Sequence, residues 1–211
     1  MAKKYFIGGS PCSGKSTIAE ILSERYGLQY FKVDDHLEEY TIRGAADNLP
    51  ICKKQIEWNA EQIWMRDPVL QCKDEIIFYE EIFDYIWEDL NKVNQKGAVV
   101  TEGAAYFPHI MKKLHVPEEQ YAAITPTKDF QISHYKEREW VPYILEGCSD
   151  KEKAFQNWMG RDSLFADTVC KECMELNYLS IVNDGGNSID EMVQIVSVHF
   201  GLKVIIIMYI C

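Results

Sequence analysis

Short apolar runs alternate with stretches of helical period along this chain. Tyr5-Phe6-Ile7, residues 30–33, Ala98-Val99-Val100-Thr101, residues 121–125 and residues 178–182 read as strands. Between them, residues 15–26 place Ile18, Ala19, Ile21 and Leu22 on one helical face, and Gly27 stops the run. Residues 50 to about 95 keep a helical pattern, broken near Asp67-Pro68 because a residue before proline disfavours helix. Residues 128–160 are charged and aromatic with no clean period, and 162–177 read as helix again. Ser188 caps a last helix, with Glu191 three residues on as a capping box.

Strands alternating with helices predict an α/β fold with a mostly parallel sheet. Five strands and no second alternating block predict one domain over 1–211. No internal repeat or low-complexity linker interrupts it. The insertion at 36–95 leaves the carboxyl end of the second strand. Ligands of open α/β sheets sit there, so this insertion is the expected substrate cover.

Composition narrows the class. With 211 residues, 47% of them hydrophobic and 26% charged, the chain can bury one sizeable core. A net charge of −11 argues against a nucleic-acid partner. The seven cysteines are odd in number and scattered, which fits a reducing cytosol. Lys3 and Lys4 precede only three apolar residues, so no signal peptide is expected and the location reads as cytoplasmic. Val204 to Ile210 is an apolar tail far shorter than the ~20 residues of a membrane span. It reads as an extra strand, a packed extension or an irregular end, and no membrane partner is expected.

Residues Gly9-Ser10-Pro11-Cys12-Ser13-Gly14-Lys15-Ser16, with Thr17 after them, fit G-x-x-x-x-G-K-[ST] between a strand and a helix. The glycines let successive N–H groups turn inward on an anion. The following helix adds unpaired N–H groups and its positive end. Lys15 would reach the β- and γ-phosphates of ATP, and the Ser16 hydroxyl would face Mg2+. Cys12 reads as a small loop residue rather than a nucleophile.

Carboxylates close the other strands. Asp34-Asp35 follows the second and Glu102 ends the third, both at the end of the sheet that faces the phosphates. A carboxylate there can take a proton from a substrate hydroxyl or hold Mg2+ through water. The alternatives are a helix N-cap for the pair and a solvated strand end for Glu102.

With these motifs in place the chain resembles the small-molecule kinases of the P-loop superfamily, in the nucleoside-monophosphate-kinase-like branch. Val33-Asp34-Asp35-His36 is similar to the post-strand Asp motif of uridine kinases, polynucleotide 5′-kinases and chloramphenicol phosphotransferases. Val99-Val100-Thr101-Glu102-Gly103 resembles the strand-Glu-Gly motif of uridine kinases. Continued to Pro108, it also resembles 2-phosphoglycerate kinases. The resemblance spans about residues 3–201, and only the glycine-loop motif is highly specific. It implies a three-layer P-loop NTPase fold with a lid after the fourth strand, at 128–161. It implies that Asp34 is the base, with Asp35 the fallback. It also implies that lid arginines close over the transferring phosphoryl group. Lys128, Lys136, Arg138 and Arg161 are the candidates, and Arg161-Asp162 resembles the post-lid pair of nucleotide kinases. The alternative for these arginines is pairing with Glu137, Glu139 or Asp162. One departure is Glu102, where many P-loop enzymes carry Asp; that fits a hydroxyl kinase and argues against a motor.

The resemblance also runs the Asp184-Gly185-Gly186 loop beside adenine, although glycines favour a plain turn anyway. His36 and Arg43 could touch substrate, or lie in core and surface. The aromatics of the insertion most simply pack its own core. Cys170 and Cys173 form a lone C-x-x-C with no second pair for zinc. Thr127-Lys128-Asp129-Phe130 puts Phe where a guanine-binding motif needs Asp, which argues against a GTPase.

The expected activity is therefore transfer of the γ-phosphate of Mg-ATP to a hydroxyl of a small molecule. Lys15, Asp34, Asp35, Arg138 and Arg161 would carry the chemistry, and Ser16 and Glu102 the metal. Asp34, His36, Arg43 and Glu102 would face the acceptor. A nucleoside monophosphate acceptor ranks lower, because the insertion holds only Arg43 and Arg66. A regulator that only binds nucleotide is the reading from another class. Oligomeric state is not legible in the sequence.

Overall fold

A computed structural model describes residues 2–203. The apolar tail from Val204 lies outside the described residues. The chain forms β1 (Lys4–Gly8), α1 (Lys15–Tyr26), β2 (Gln29–Lys32), α2 (Leu37–Ala46), α3 (Pro50–Glu57), α4 (Ala60–Trp64) and α5 (Pro68–Asn94). It continues with β3 (Val99–Glu102), α6 (Pro108–Lys113), β4 (Tyr121–Pro126), α7 (Lys128–Lys136), α8 (Val141–Ile144), α9 (Lys151–Leu176), β5 (Leu179–Asn183) and α10 (Ile189–His199).

The strands form a five-stranded sheet in the order β2-β3-β1-β4-β5, and every pair is parallel. The expectation of a mostly parallel sheet is met in full. β1, β3 and β4 are buried along nearly their whole length, as strands covered on both faces must be, hence their continuous apolar runs. One face packs Ile18, Leu22, Val193 and Val196 of α1 and α10. The other packs Phe78, Tyr79, Ile82 and Ile86 of α5 with Phe165 and Val169 of α9. This gives three layers, helix on sheet on helix.

Local chemistry sets the element ends. The Asp67 carboxylate accepts from Val69 and Leu70 N–H and Pro68 supplies the first turn, so α5 starts there. Ser188 and Glu191 form the expected capping box of α10. α1 starts after Gly14 at φ 91 and stops at Gly27 at φ 65, both left-handed positions that suit glycine.

Two sequence readings need correction. The stretch 128–160 is ordered as two short helices and the first ten residues of α9, which begins at Lys151 rather than 162. Asp150 caps it by accepting from Lys153 N–H at 2.9 Å. The period was obscured because this part of α9 buries Asn157 and the Arg161–Asp162 pair beside Trp158 and Met159. Residues 50–95 are also three helices rather than two, with the Asn59 capping box as the extra break, and α2 precedes them in the insertion. Among the described residues, no helix is long and apolar enough to cross a membrane.

Candidate active site

The loop between β1 and α1 is shaped by close packing. A Cβ at Gly9 would collide with the Ile124 backbone of β4, and its φ of 118 is in the region that favours glycine. At the other end Gly14 leads into α1 with no side-chain cap. The amides of Lys15, Ser16 and Thr17 thus open α1 without a side chain competing for them, an arrangement suited to an anion. The Asn183 side chain at the end of β5 donates to Ser13 carbonyl at 3.1 Å and accepts from Gly185 N–H at 3.0 Å. It pins the loop to the far side of the sheet.

Lys15 is buried at the loop's centre. Its ammonium donates to Ser10 carbonyl at 2.7 Å and approaches Ser13 Oγ at 3.5 Å. Burial pulls its pKa down, and the charges of Glu102 and Asp34 pull it back up. Glu102 is fully buried beneath it. Its Oε1 accepts from Ser16 Oγ at 3.0 Å and Tyr30 Oη at 3.3 Å, while Oε2 has no partner. Burial raises this carboxyl's pKa, opposed by Lys15.

Above this base lies an open cavity of about 630 Å³. The loop residues Pro11 to Thr17 form its floor, Asp34 one wall, and Phe130, Tyr135 and Arg138 the lid side. Asn183, Ile189 and Met192 close the end toward α10. The Arg138 guanidinium sits over Tyr135 and Trp140 at 4.8 and 5.4 Å and donates to Cys12 Sγ at 3.4 Å. No acid pairs with it among the described residues, so its charge is free to meet an arriving anion.

Asp34 and Asp35 part company. Residues Val33–His36 form a 3-10 turn, so adjacent side chains point apart. Asp34 is exposed and faces the loop cavity. Asp35 pairs with Lys32 at 3.5 Å, away from the loop cavity, and lines a shallow surface hollow with Glu38, Glu39, Ile42 and Arg43.

A second open cavity, of about 540 Å³, lies under the insertion between α2, α3, α4, α5 and α9. Arg161 and Glu75 border it. The charge of Asp34, which lines the first cavity, also bears on Glu75 and Tyr79 in the wall of the second.

Arg161 is placed otherwise than the lid reading expects. It is buried inside α9, with Nε and Nη2 on Asp162 Oδ1 at 2.7 and 2.6 Å and Nη1 on Glu75 Oε2 at 3.1 Å. Trp64 covers its face at 5.2 Å. Burial raises the pKa of both carboxyls, opposed by Arg161. This is a structural network at the cavity wall rather than a mobile arginine. Arg43 is also diverted: it stacks on Tyr85 at 4.2 Å and pairs with Glu88 at 3.1 Å, away from both cavities. His36 packs on Phe31 at 5.1 Å and against Tyr40. Lys128 and Lys136 are exposed on α7 and line neither cavity. Gly185 does not border the cavity but supports Phe130, since a Cβ there would lie 3.2 Å from that ring.

Asn183, Phe130, Tyr135 and Glu75 were missed in the sequence as site residues, whereas Asp162 is the alternative partner of Arg161 that the sequence offered. Asn183 alone had a signal, as the polar residue that ends a strand at the carboxyl edge. Cys170 rests against Thr125 Oγ1 at 3.1 Å, and Cys173 is buried in the core.

No protein-family model matches this chain. No curated protein sequence matches it either. Among solved structures it is similar to a putative kinase from Chloroflexus aurantiacus J-10-fl, at 15% identity and a TM-score of 0.42, covering 94% of this chain and 98% of that one. It is also similar to an uncharacterized protein from Eubacterium ventriosum ATCC 27560, at 16% identity and a TM-score of 0.45, covering 96% of this chain and 100% of that one. Likenesses this distant carry no argument about activity, which rests on the site itself.

Proposed function

We propose that this chain is an ATP-dependent phosphotransferase that moves the γ-phosphate to a hydroxyl of a small molecule. One observation carries the reading. An exposed carboxylate, Asp34, lines the cavity over a loop built for an anion, and its charge also reaches Glu75 and Tyr79 in the wall of a second cavity large enough for an acceptor. The loop amides and Lys15 hold the phosphates of ATP. Asp34 takes the proton as the acceptor oxygen bonds to the γ-phosphorus and the bond to ADP breaks, so ADP is the leaving group. Arg138 offsets charge on the phosphoryl oxygens. Ser16 and Glu102 fit a Mg2+ ion, because a buried carboxylate with one unpartnered oxygen and a hydroxyl point to one place. Such an ion supplies positive charge that neutralises the phosphates.

The test is ADP release from Mg-ATP across a panel of hydroxyl compounds. Asp34→Asn should cut acceptor-dependent release by about 100-fold or more, the usual weight of a general base. Asp35→Asn should cost far less than Asp34→Asn, within a few fold, since its carboxylate does not line the loop cavity and its exposed pair with Lys32 is weak. Equal losses in both variants, or none in Asp34→Asn, would sink the assignment.

A further inference from the structure

The second cavity has an unusual balance of groups. Its walls are largely apolar: Leu37, Ile63, Phe78 and Tyr79 among others. Two isoleucines at its edge, Ile42 and Ile56, are 56% and 52% exposed, large apolar surface left open to water beside a hollow. That surface matches a ligand with an apolar body.

The charges are not balanced. Among the described residues Arg161 is the one cation lining the cavity, and each of its three nitrogens is already held by Asp162 or Glu75. Lys54 and Arg66, in a small adjoining cleft, share Asp74 at 3.1 and 2.7 Å, and Arg43, in the hollow beyond Glu38, pairs with Glu88 at 3.1 Å. Glu38 is different. It is exposed on the rim and forms no ion pair among the described residues. Thr41 and Gln55 add neutral polar groups. An entering phosphate or carboxylate would find every nearby guanidinium and ammonium engaged and a free carboxylate at the mouth. An ammonium group would find that carboxylate unpaired.

We infer that the acceptor is an amine-bearing hydroxyl compound with an apolar body, its ammonium on Glu38 and its apolar part against Ile42, Ile56 and Phe78. This deepens the phosphotransferase reading and rests on it for the word acceptor. The charge preference itself is a property of the cavity and can be measured without turnover. A monophosphate is disfavoured for the same reason: the arginines of the insertion are paired with Glu88 and Asp74.

Three probes share a phenyl ring and a hydroxyl and differ in charge: phenylglycinol (cationic), styrene glycol (neutral) and mandelate (anionic). Their binding to the purified protein, by calorimetry at low salt, should follow that order. An exposed ion pair predicts about threefold between cation and neutral compound. Glu38→Gln should erase that step and leave styrene glycol unchanged. Glu38→Lys should move mandelate ahead of phenylglycinol. Mandelate binding best to the unaltered protein, an order indifferent to both variants, or no binding by any probe would overturn the inference. ADP release is read separately. If the charge order holds and no hydroxyl compound ever stimulates release, the cavity assignment stands and the phosphotransferase reading falls.

Discussion

The two cavities are built in opposite ways. The loop site is made of backbone: glycines in left-handed conformation, amides at the start of α1, and a lysine folded onto the loop's own carbonyl. Its partners lie close in sequence, apart from the carboxylates at neighbouring strand ends. The cavity under the insertion is made of side chains from five helices, held by pairs such as Arg161–Glu75 and Asn157 to Trp64 carbonyl, distant in the chain. A backbone site tolerates change in most of its side chains but not in its glycines. A side-chain site depends on each buried pair. The difference separates two arginines that look alike in sequence: Arg138 faces the open loop cavity without an acid, and Arg161 is locked between two.

The largest expected effect comes from that pair of arginines. Arg161→Met leaves the buried carboxyls of Glu75 and Asp162 without their cation. Breaking a buried pair on one side costs about 3–5 kcal/mol, so urea unfolding should show a loss of that order. Arg138→Met should leave unfolding nearly unchanged, because its guanidinium is only half-buried and holds no acid. Instead it should lower kcat for ATP turnover by about 100-fold, the order seen for a lost charge-stabilising donor. If Arg161→Met folds normally and loses only turnover, the contrast between a locked and a free arginine is wrong.

A smaller effect tests the backbone side of the contrast. Gly185 sits at φ 85, and a Cβ there would press on Phe130 at 3.2 Å. Gly185→Ala should cost about 1–2 kcal/mol from the strained conformation alone. It should also weaken ATP binding, since Phe130 lines the loop cavity. Unchanged stability with unchanged ATP affinity would show that the loop after β5 yields without cost. It would also show that Phe130 is not held by it.

What could be read in the sequence follows the same division. The succession of strands along the chain, the loop motif, the Asp pair after the second strand and the α10 capping box were legible because each is marked by residues a few positions apart. The start of α9 was not, because its inner face mixes Asn157, Arg161 and Asp162 with aromatics, and only Glu75 and Trp64 from the insertion explain why polar groups are buried there. The resemblance alone put Asp34 ahead of Asp35, and the pitch of a 3-10 turn is what separates their side chains. Arg43 looked available because its partner Glu88 lies 45 residues away on α5. Local chemistry shows in a sequence. Neutralisation by a distant acid does not.

The smallest expected effect concerns the contact of α6 with α5 and α9. His109 on α6 approaches Glu172 on α9 at 2.8 Å through Nδ1 and Glu80 on α5 at 3.2 Å through Nε2. The two carboxylates raise its pKa above 6.5, with Glu172 the larger influence and burial opposing it. A histidine whose folded pKa is raised binds its proton more tightly in the native state than in the unfolded one. Its contribution is therefore complete below the unfolded value of 6.5 and is lost as pH rises through the folded value. The melting temperature should fall slightly as pH rises from about 6 to about 8, and His109→Gln should remove that part of the slope. The imidazole is about two-fifths exposed, so the pair is screened and the change should shrink further in high salt. A slope that persists in His109→Gln would place the titrating group elsewhere. It would also leave the α5–α6–α9 contact to apolar packing alone.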